Sequence, residues 1–259
     1  MSARKVLSEP AHRVATRVIA EEEQRRPHLV VALSGAHAYG FPSPDSDLDL
    51  KAIHAAPTAA LLGLEPPADT ADRQEIVDGV EIDYTSNELR PALLGLLAGN
   101  GNYLERVLAA RVVLASPRLP ELVALVPGLL SRRYYRHYRG FAWSQRQAFT
   151  DAPAPTAKQL LYVLRTALTG VHLLRTGELR VDLTTTAPEY GFEDVDALIA
   201  TKRAGERVVL DEPARQAWLP RLDGLFALLD QARAASPLPE VPTGVAEVDR
   251  WLQATRRAG

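Results

Sequence analysis

The chain contains no cysteine. Disulfides, thiol nucleophiles and thiolate metal sites are thereby excluded. Any metal ion would have to rest mainly on oxygen or imidazole ligands. A charge imbalance is also missing, since 30 lysines and arginines face 32 acids for a net charge of −2. No global basic field draws in nucleic acid, so a role of that kind would need a local patch. No apolar run approaches the ~20 residues that span a bilayer. The first residues, Met1 to Pro10, lack the apolar centre of a signal peptide. The expectation is a cytoplasmic protein without a membrane partner. What is present is ordinary for a globular protein: 259 residues, 46% hydrophobic and 24% charged. That length suits one large domain or two small ones.

The most informative stretch is residues 33–54. The apolar run Leu29 to Leu33 reads as a strand that ends in a turn, Ser34-Gly35-Ala36. Gly35 lets the backbone take unusual dihedrals and come close to a ligand. Gly40, Pro42 and Pro44 keep the next segment irregular. Then comes Asp47-Leu48-Asp49-Leu50. On a strand Leu48 and Leu50 would face the core, with Asp47 and Asp49 on the other face. Such neighbours are either two solvated aspartates on an edge strand, or ligands that stay ionised around a hard cation such as Mg2+ or Mn2+. A third acid follows. Asp78-Gly79 between β-prone runs is a hairpin signal. In its second strand Val80, Ile82 and Tyr84 alternate with Glu81, Asp83 and Thr85. If that strand lies beside the Asp-x-Asp strand, Asp83 completes a cluster of carboxylates.

Elsewhere the pattern is mostly helical. The spacing predicts helices over 10–26, 87–98 and 102–111, with a short helical piece near 59–64 inside a loop spanning 55–73. Residues 112–115 read as a short strand. Pro117, Pro120 and Pro127 punctuate the chain before helices over 129–149, 156–176, 192–204, 212–235 and 245–257, with a Pro-rich linker at 236–243. The expected fold class is α+β. A small mixed-sheet α/β domain over residues 1–120 is followed by an all-helical domain over 121–259.

With these pieces in place, residues 34–53 resemble the nucleotidyltransferase domain of the DNA polymerase β superfamily. Its elements are a Gly-Ser turn, an Asp-x-Asp and a later acid, matched here by Gly35-Ala36, Asp47-Leu48-Asp49 and Asp83. The string from Gly35 through Ala38-Tyr39-Gly40 to Asp49 looks most like a bacterial and phage group of minimal-type nucleotidyltransferases. Asn100 to Glu105, Tyr138 to Phe141, and Lys158 through Arg165 to Gly177 match the same group. Two departures are Ala36, where the turn usually carries serine, and Ala52, where glycine often follows the basic residue.

The resemblance implies a polymerase-β-like domain that moves a nucleoside monophosphate from a nucleoside triphosphate, with ATP expected, to an acceptor hydroxyl. The acceptor would be a polynucleotide, a protein or a small molecule. Asp47, Asp49 and Asp83 would be the catalytic acids and would hold two Mg2+ or Mn2+ ions. Ser34, Gly35, Ala36, His37, Lys51, Lys158 and Arg165 would contact the nucleotide. One alternative is a nucleotide- or nucleic-acid-binding module without turnover, which Ala36 favours; a third reading is a metal-assisted phosphohydrolase, since water can replace the acceptor hydroxyl. Arg132, Arg136, Arg139, Trp143 and Arg146 can line up on one helix and bind RNA or DNA by phosphate contacts and stacking. They could equally bind a nucleoside triphosphate, and a helix that packs its aromatics with the arginines reaching outward is common. Exposed helical faces leave room for a homodimer.

Overall fold

A computed structural model describes residues 7–205 and 208–258. The chain opens with α1 (Glu9–Arg25), capped by the Ser8 hydroxyl, which accepts from the Ala11 N–H. Next come β1 (His28–Leu33), a short α2 (Gly35–Tyr39), β2 (Leu48–His54), α3 (Thr58–Leu61), β3 (Thr70–Val77) and β4 (Val80–Glu88). α4 (Leu89–Ala98), α5 (Gly101–Val107), β5 (Val112–Ala115) and α6 (Leu119–Leu129) follow. The remainder is helical: α7 (Tyr134–Asp151), α8 (Ala157–Thr176), α9 (Leu183–Glu189), α10 (Val195–Arg203), α11 (Glu212–Ala234) and α12 (Val245–Ala258). The α+β class expected from the sequence is what the chain adopts.

Five strands form one mixed sheet in the order β3-β4-β2-β1-β5. Only β2 and β4 run parallel among these neighbours. The β3–β4 turn has φ of 51° at Asp78 and 79° at Gly79. Two successive positive φ values are what a tight hairpin turn requires, and Asp-Gly meets that need.

Packing divides the chain into two compact units. The first holds Met1–Ala38, Asp47–Leu130 and Pro242–Gly259, and the second holds Tyr39–Ser46 and Ser131–Val241. In the first unit, Val14, Val18 and Ile19 of α1 share a core with Leu48, Leu50, Ile82 and Tyr84 of the sheet. Burying each such aliphatic side chain contributes roughly 1.5–3 kcal/mol. These residues also fix the strand register. A slip of one position would expose them and bury Asp49 and Asp83 instead.

The second unit is built around α8, which is buried from Val163 to Leu174. Thr156 and Gln159 form a capping box at its start, and Gly177, with φ of 76°, ends it. At Gly170 a Cβ would fall 2.5 Å from Tyr138 Cβ, so α7 approaches α8 there as closely as only glycine permits.

Several boundaries differ from the sequence expectation. β3 starts at Thr70, inside the expected loop, and its mostly exposed residues carry no apolar alternation. Its pairing with β4 makes it a strand. The sequence does not predict α6, because its prolines read as breakers. Pro120 sits in its first turn, where the missing N–H costs nothing. α7 begins at Tyr134 rather than 129. α9 is also absent from the sequence expectation, since its threonines are weak helix formers, yet Asp182 caps it by accepting from the Thr184 N–H.

Candidate active site

The alternation seen in the sequence is realised on β2 and β4. Leu48, Leu50, Ile82 and Tyr84 are buried, while Asp49, Lys51, Asp83 and Thr85 are half-buried on the other face. Parallel pairing sets Asp49 directly opposite Asp83, and Lys51 opposite Thr85. Neighbouring strands lie about 4.8 Å apart, so the two carboxylates leave adjacent backbone positions on one face.

The turn after β1 is joined to Asp49 in two ways. The Ser34 N–H donates to the Asp49 carbonyl at 3.0 Å. Gly35 has φ of 58°, and a Cβ on it would lie 1.8 Å from Asp49 Oδ2. The carboxylate thus occupies the space that any other residue at position 35 would fill. The expected turn is the start of α2, with Ala36 and His37 both buried.

Asp47 precedes β2 and lines an open pocket of about 310 Å³ together with Gln74, Glu75, Ile76, Glu81, Ile82 and Asp83. The pocket brings Asp47 and Asp83 together, and the strand register brings Asp49 and Asp83 together. Asp83 is the member common to both pairs. Its Oδ2 receives an ion pair from Lys51 Nζ at 2.8 Å. Lys51 Nζ also lies 3.4 Å from the Asp83 carbonyl and 3.3 Å from Thr85 Oγ1. Among the described residues, no group of three or more histidine or acidic side chains is arranged to hold a metal ion. The donors nevertheless fit a hard divalent cation in kind, and the missing Cβ at Gly35 is what makes room for one of them.

Most of the other residues singled out in the sequence lie in the second unit. Tyr39 is buried, packs edge-on against Tyr162 and carries the Arg165 guanidinium 3.8 Å from its ring centroid. Arg165 is itself buried on α8, while Lys158, two turns earlier, is half-buried. Among the expected stripe residues, Arg132 donates to the Leu238 and Ser236 carbonyls and pairs with Glu240. Arg139 pairs with Asp230 at 3.1 Å and Arg146 with Asp223 at 2.6 Å, both residues of α11. Arg139 and Arg146 also lie over Trp143 and Phe226. Arg136 is exposed. Of the motif residues around α5, Asn100 is the N-cap and accepts from the Asn102 N–H.

One residue escaped the sequence reading. Lys202 is fully buried and donates to Ser43 Oγ and Ser46 Oγ, each at 2.6 Å. It thereby holds the segment that leads into Asp47. Its signal was present: Val195, Leu198, Ile199 and Lys202 share the buried face of α10, and lysine is out of place at such a position. The same segment is approached by Asp182, whose Oδ1 would lie 2.3 Å from a Cβ on Gly40.

Beyond the acids, the far end of β2 carries His54, buried and hydrogen-bonded to Ser86 Oγ at 2.8 Å. Burial lowers its pKa to about 4.

Residues 12–254 match the model of RlaP, the RNA repair pathway DNA polymerase beta family. An uncharacterized protein of Methanocaldococcus jannaschii is 25% identical over 223 residues, covering 85% of this chain and 90% of its own. A nucleotidyltransferase-like protein from Exiguobacterium sibiricum, of known structure, aligns at 12% identity and a TM-score of 0.34, over 85% of this chain and 74% of its own. The family match spans nearly the whole chain, including the turn, the Asp-x-Asp and Asp83, and this protein belongs to the RNA repair pathway DNA polymerase beta family.

Proposed function

We propose that the protein is a metal-dependent nucleotidyltransferase that moves a nucleoside monophosphate from a nucleoside triphosphate, ATP in the first instance, onto an acceptor hydroxyl. The observation that carries the reading is the parallel register that sets Asp49 beside Asp83, with Asp47 in the same pocket as Asp83. The family description favours an RNA hydroxyl as acceptor over a protein or a small molecule.

In this reading Asp47, Asp49 and Asp83 hold Mg2+ or Mn2+. When bound, such an ion neutralises charge on the phosphate oxygens and lowers the pKa of a hydroxyl. Asp83, whose side chain is half-buried and lines the open pocket, accepts the proton of the attacking hydroxyl. The backbone N–H groups of Gly35, Ala36 and His37 cradle the triphosphate in place of the serine hydroxyl that Ala36 lacks, while the Ser34 N–H is held by the Asp49 carbonyl. Lys51 supplies positive charge beside the acids. Contacts from the α7 residues Arg136 and Trp143 to an RNA strand belong to the same reading.

A second reading is a nucleotide-binding module without turnover. The Lys51–Asp83 ion pair favours it, because an ammonium already neutralises the acid that the chemistry needs. The experiment incubates the protein with each nucleoside triphosphate, Mg2+ or Mn2+ and hydroxyl-ended RNA, and measures pyrophosphate release and label transfer. Asp49→Asn is expected to cost roughly a thousandfold in rate, about 4 kcal/mol of barrier. Near-normal metal-dependent turnover by that variant would reject the mechanism. Nucleotide binding that ignores the metal and releases no pyrophosphate would establish the module.

A further inference from the structure

The face of β2 and β4 that carries the acids is a square of four side chains: Asp49 and Lys51 on one strand, Asp83 and Thr85 on the other. Two adjacent carboxylates repel unless a cation lies near both. For Asp83 that cation is Lys51. Its ammonium does not meet Thr85 alone, its register partner, but reaches diagonally to Asp83. It then has three oxygen atoms around it: Asp83 Oδ2 at 2.8 Å, the Asp83 carbonyl at 3.4 Å and Thr85 Oγ1 at 3.3 Å. The Lys51 side chain is 19% exposed and that of Asp83 34%, so the pair is shielded enough to matter and open enough to be exchanged.

We propose that Lys51 is a resident counter-ion for Asp83, and that it makes metal binding depend on nucleotide. This inference rests on the reading above that the acids bind a divalent cation. A divalent ion arriving alone must displace the ammonium from Asp83 and leave it stranded beside a new positive charge. An ion arriving with a triphosphate brings anionic oxygens that can receive the displaced ammonium. The lysine thereby disfavours the metal-only state and favours the metal–nucleotide state. It is a positioning and selectivity residue. Lysine suits the task because its single point charge sits on a flexible stem and can change partners, whereas an arginine fork would hold the carboxylate in two-point contact.

The test measures Mn2+ binding by the paramagnetic signal of the free ion, with and without a non-hydrolysable ATP analogue. It compares wild type, Lys51→Met and Lys51→Arg, each checked for an unchanged melting profile. Wild type should bind Mn2+ weakly alone and at least tenfold more tightly with the analogue. Lys51→Met should bind Mn2+ alone more tightly than wild type and lose most of the gain given by the analogue. Lys51→Arg should bind Mn2+ alone no better than wild type. Unchanged or weaker Mn2+ binding by Lys51→Met, or a full nucleotide gain in that variant, overturns the proposal. If Lys51→Met shows the expected pattern while wild type transfers no nucleotide, the counter-ion role stands and the transferase reading falls. If wild type turns over and Lys51→Met binds Mn2+ like wild type, the reverse holds.

Discussion

Asp49 Oδ2 lies 1.8 Å from the point where a side chain on Gly35 would begin. The glycine at the turn and the second acid of Asp-x-Asp therefore form one packed unit.

Gly35→Ala tests this directly. Alanine at φ of 58° costs about 1–2 kcal/mol by itself. The added methyl must also push the Asp49 carboxylate away. We expect a lowered melting temperature and a larger relative loss in Mn2+ affinity, read by thermal melts and ion titration. An alanine variant that melts and binds Mn2+ like wild type would show that Asp49 does not sit where described.

The segment before Asp47 offers a second prediction. The buried Lys202 ammonium donates to Ser43 and Ser46. Replacing both hydroxyls leaves a buried charge with fewer acceptors, which costs about 1–3 kcal/mol. Ser43→Ala with Ser46→Ala should therefore unfold at lower urea than wild type. A double variant as stable as wild type would show that these two bonds contribute nothing net.

Acid sensitivity gives a third. His54 is buried, and desolvation holds its pKa near 4, below the ordinary histidine value of 6.5. Between those values the unfolded chain binds a proton that the folded chain refuses. Stability from this group is complete above pH 6.5 and falls as the pH drops toward 4, by about 3 kcal/mol. His28 is shifted the same way by burial and shares the acid limb. His54→Asn keeps a polar group near Ser86 and removes the titration. Its unfolding free energy should change less between pH 7 and pH 5 than that of wild type, and equal slopes would refute the assignment.

The sheet was legible because local signals and packing agree there. Asp78-Gly79 marked the hairpin, and the alternation of Leu48, Leu50, Ile82 and Tyr84 with acids marked the inward face. The same alternation showed which way Asp49 and Asp83 point. It could not show that Lys51 reaches diagonally to Asp83, because that contact joins residues 32 positions apart through strand pairing. α6 and α9 were hidden for a different reason. Their prolines and threonines argue against helix locally; burial of Leu122 and Val126 decides the matter for α6, and the Asp182 cap with burial of Leu183 and Ala187 decides it for α9. The arginines of α7 were legible as a stripe, but their partners Asp223 and Asp230 on α11 lie 77 and 91 residues away in sequence.

Neither compact unit is one continuous run of chain, and that has a consequence during synthesis. All five strands are complete once the ribosome passes Ala115, yet α12, which packs with α4 and α6, is made only after Pro242. At about 5–20 residues per second, the sheet waits on the order of ten seconds for its last helix. Tyr39–Ser46 waits as well, because Arg165, Asp182 and Lys202, which hold it, are all translated much later, Lys202 by 159 residues after Ser43. The turn at Gly35 and the first two acids therefore leave the ribosome early, and the segment joining them is fixed only after most of the chain has been made.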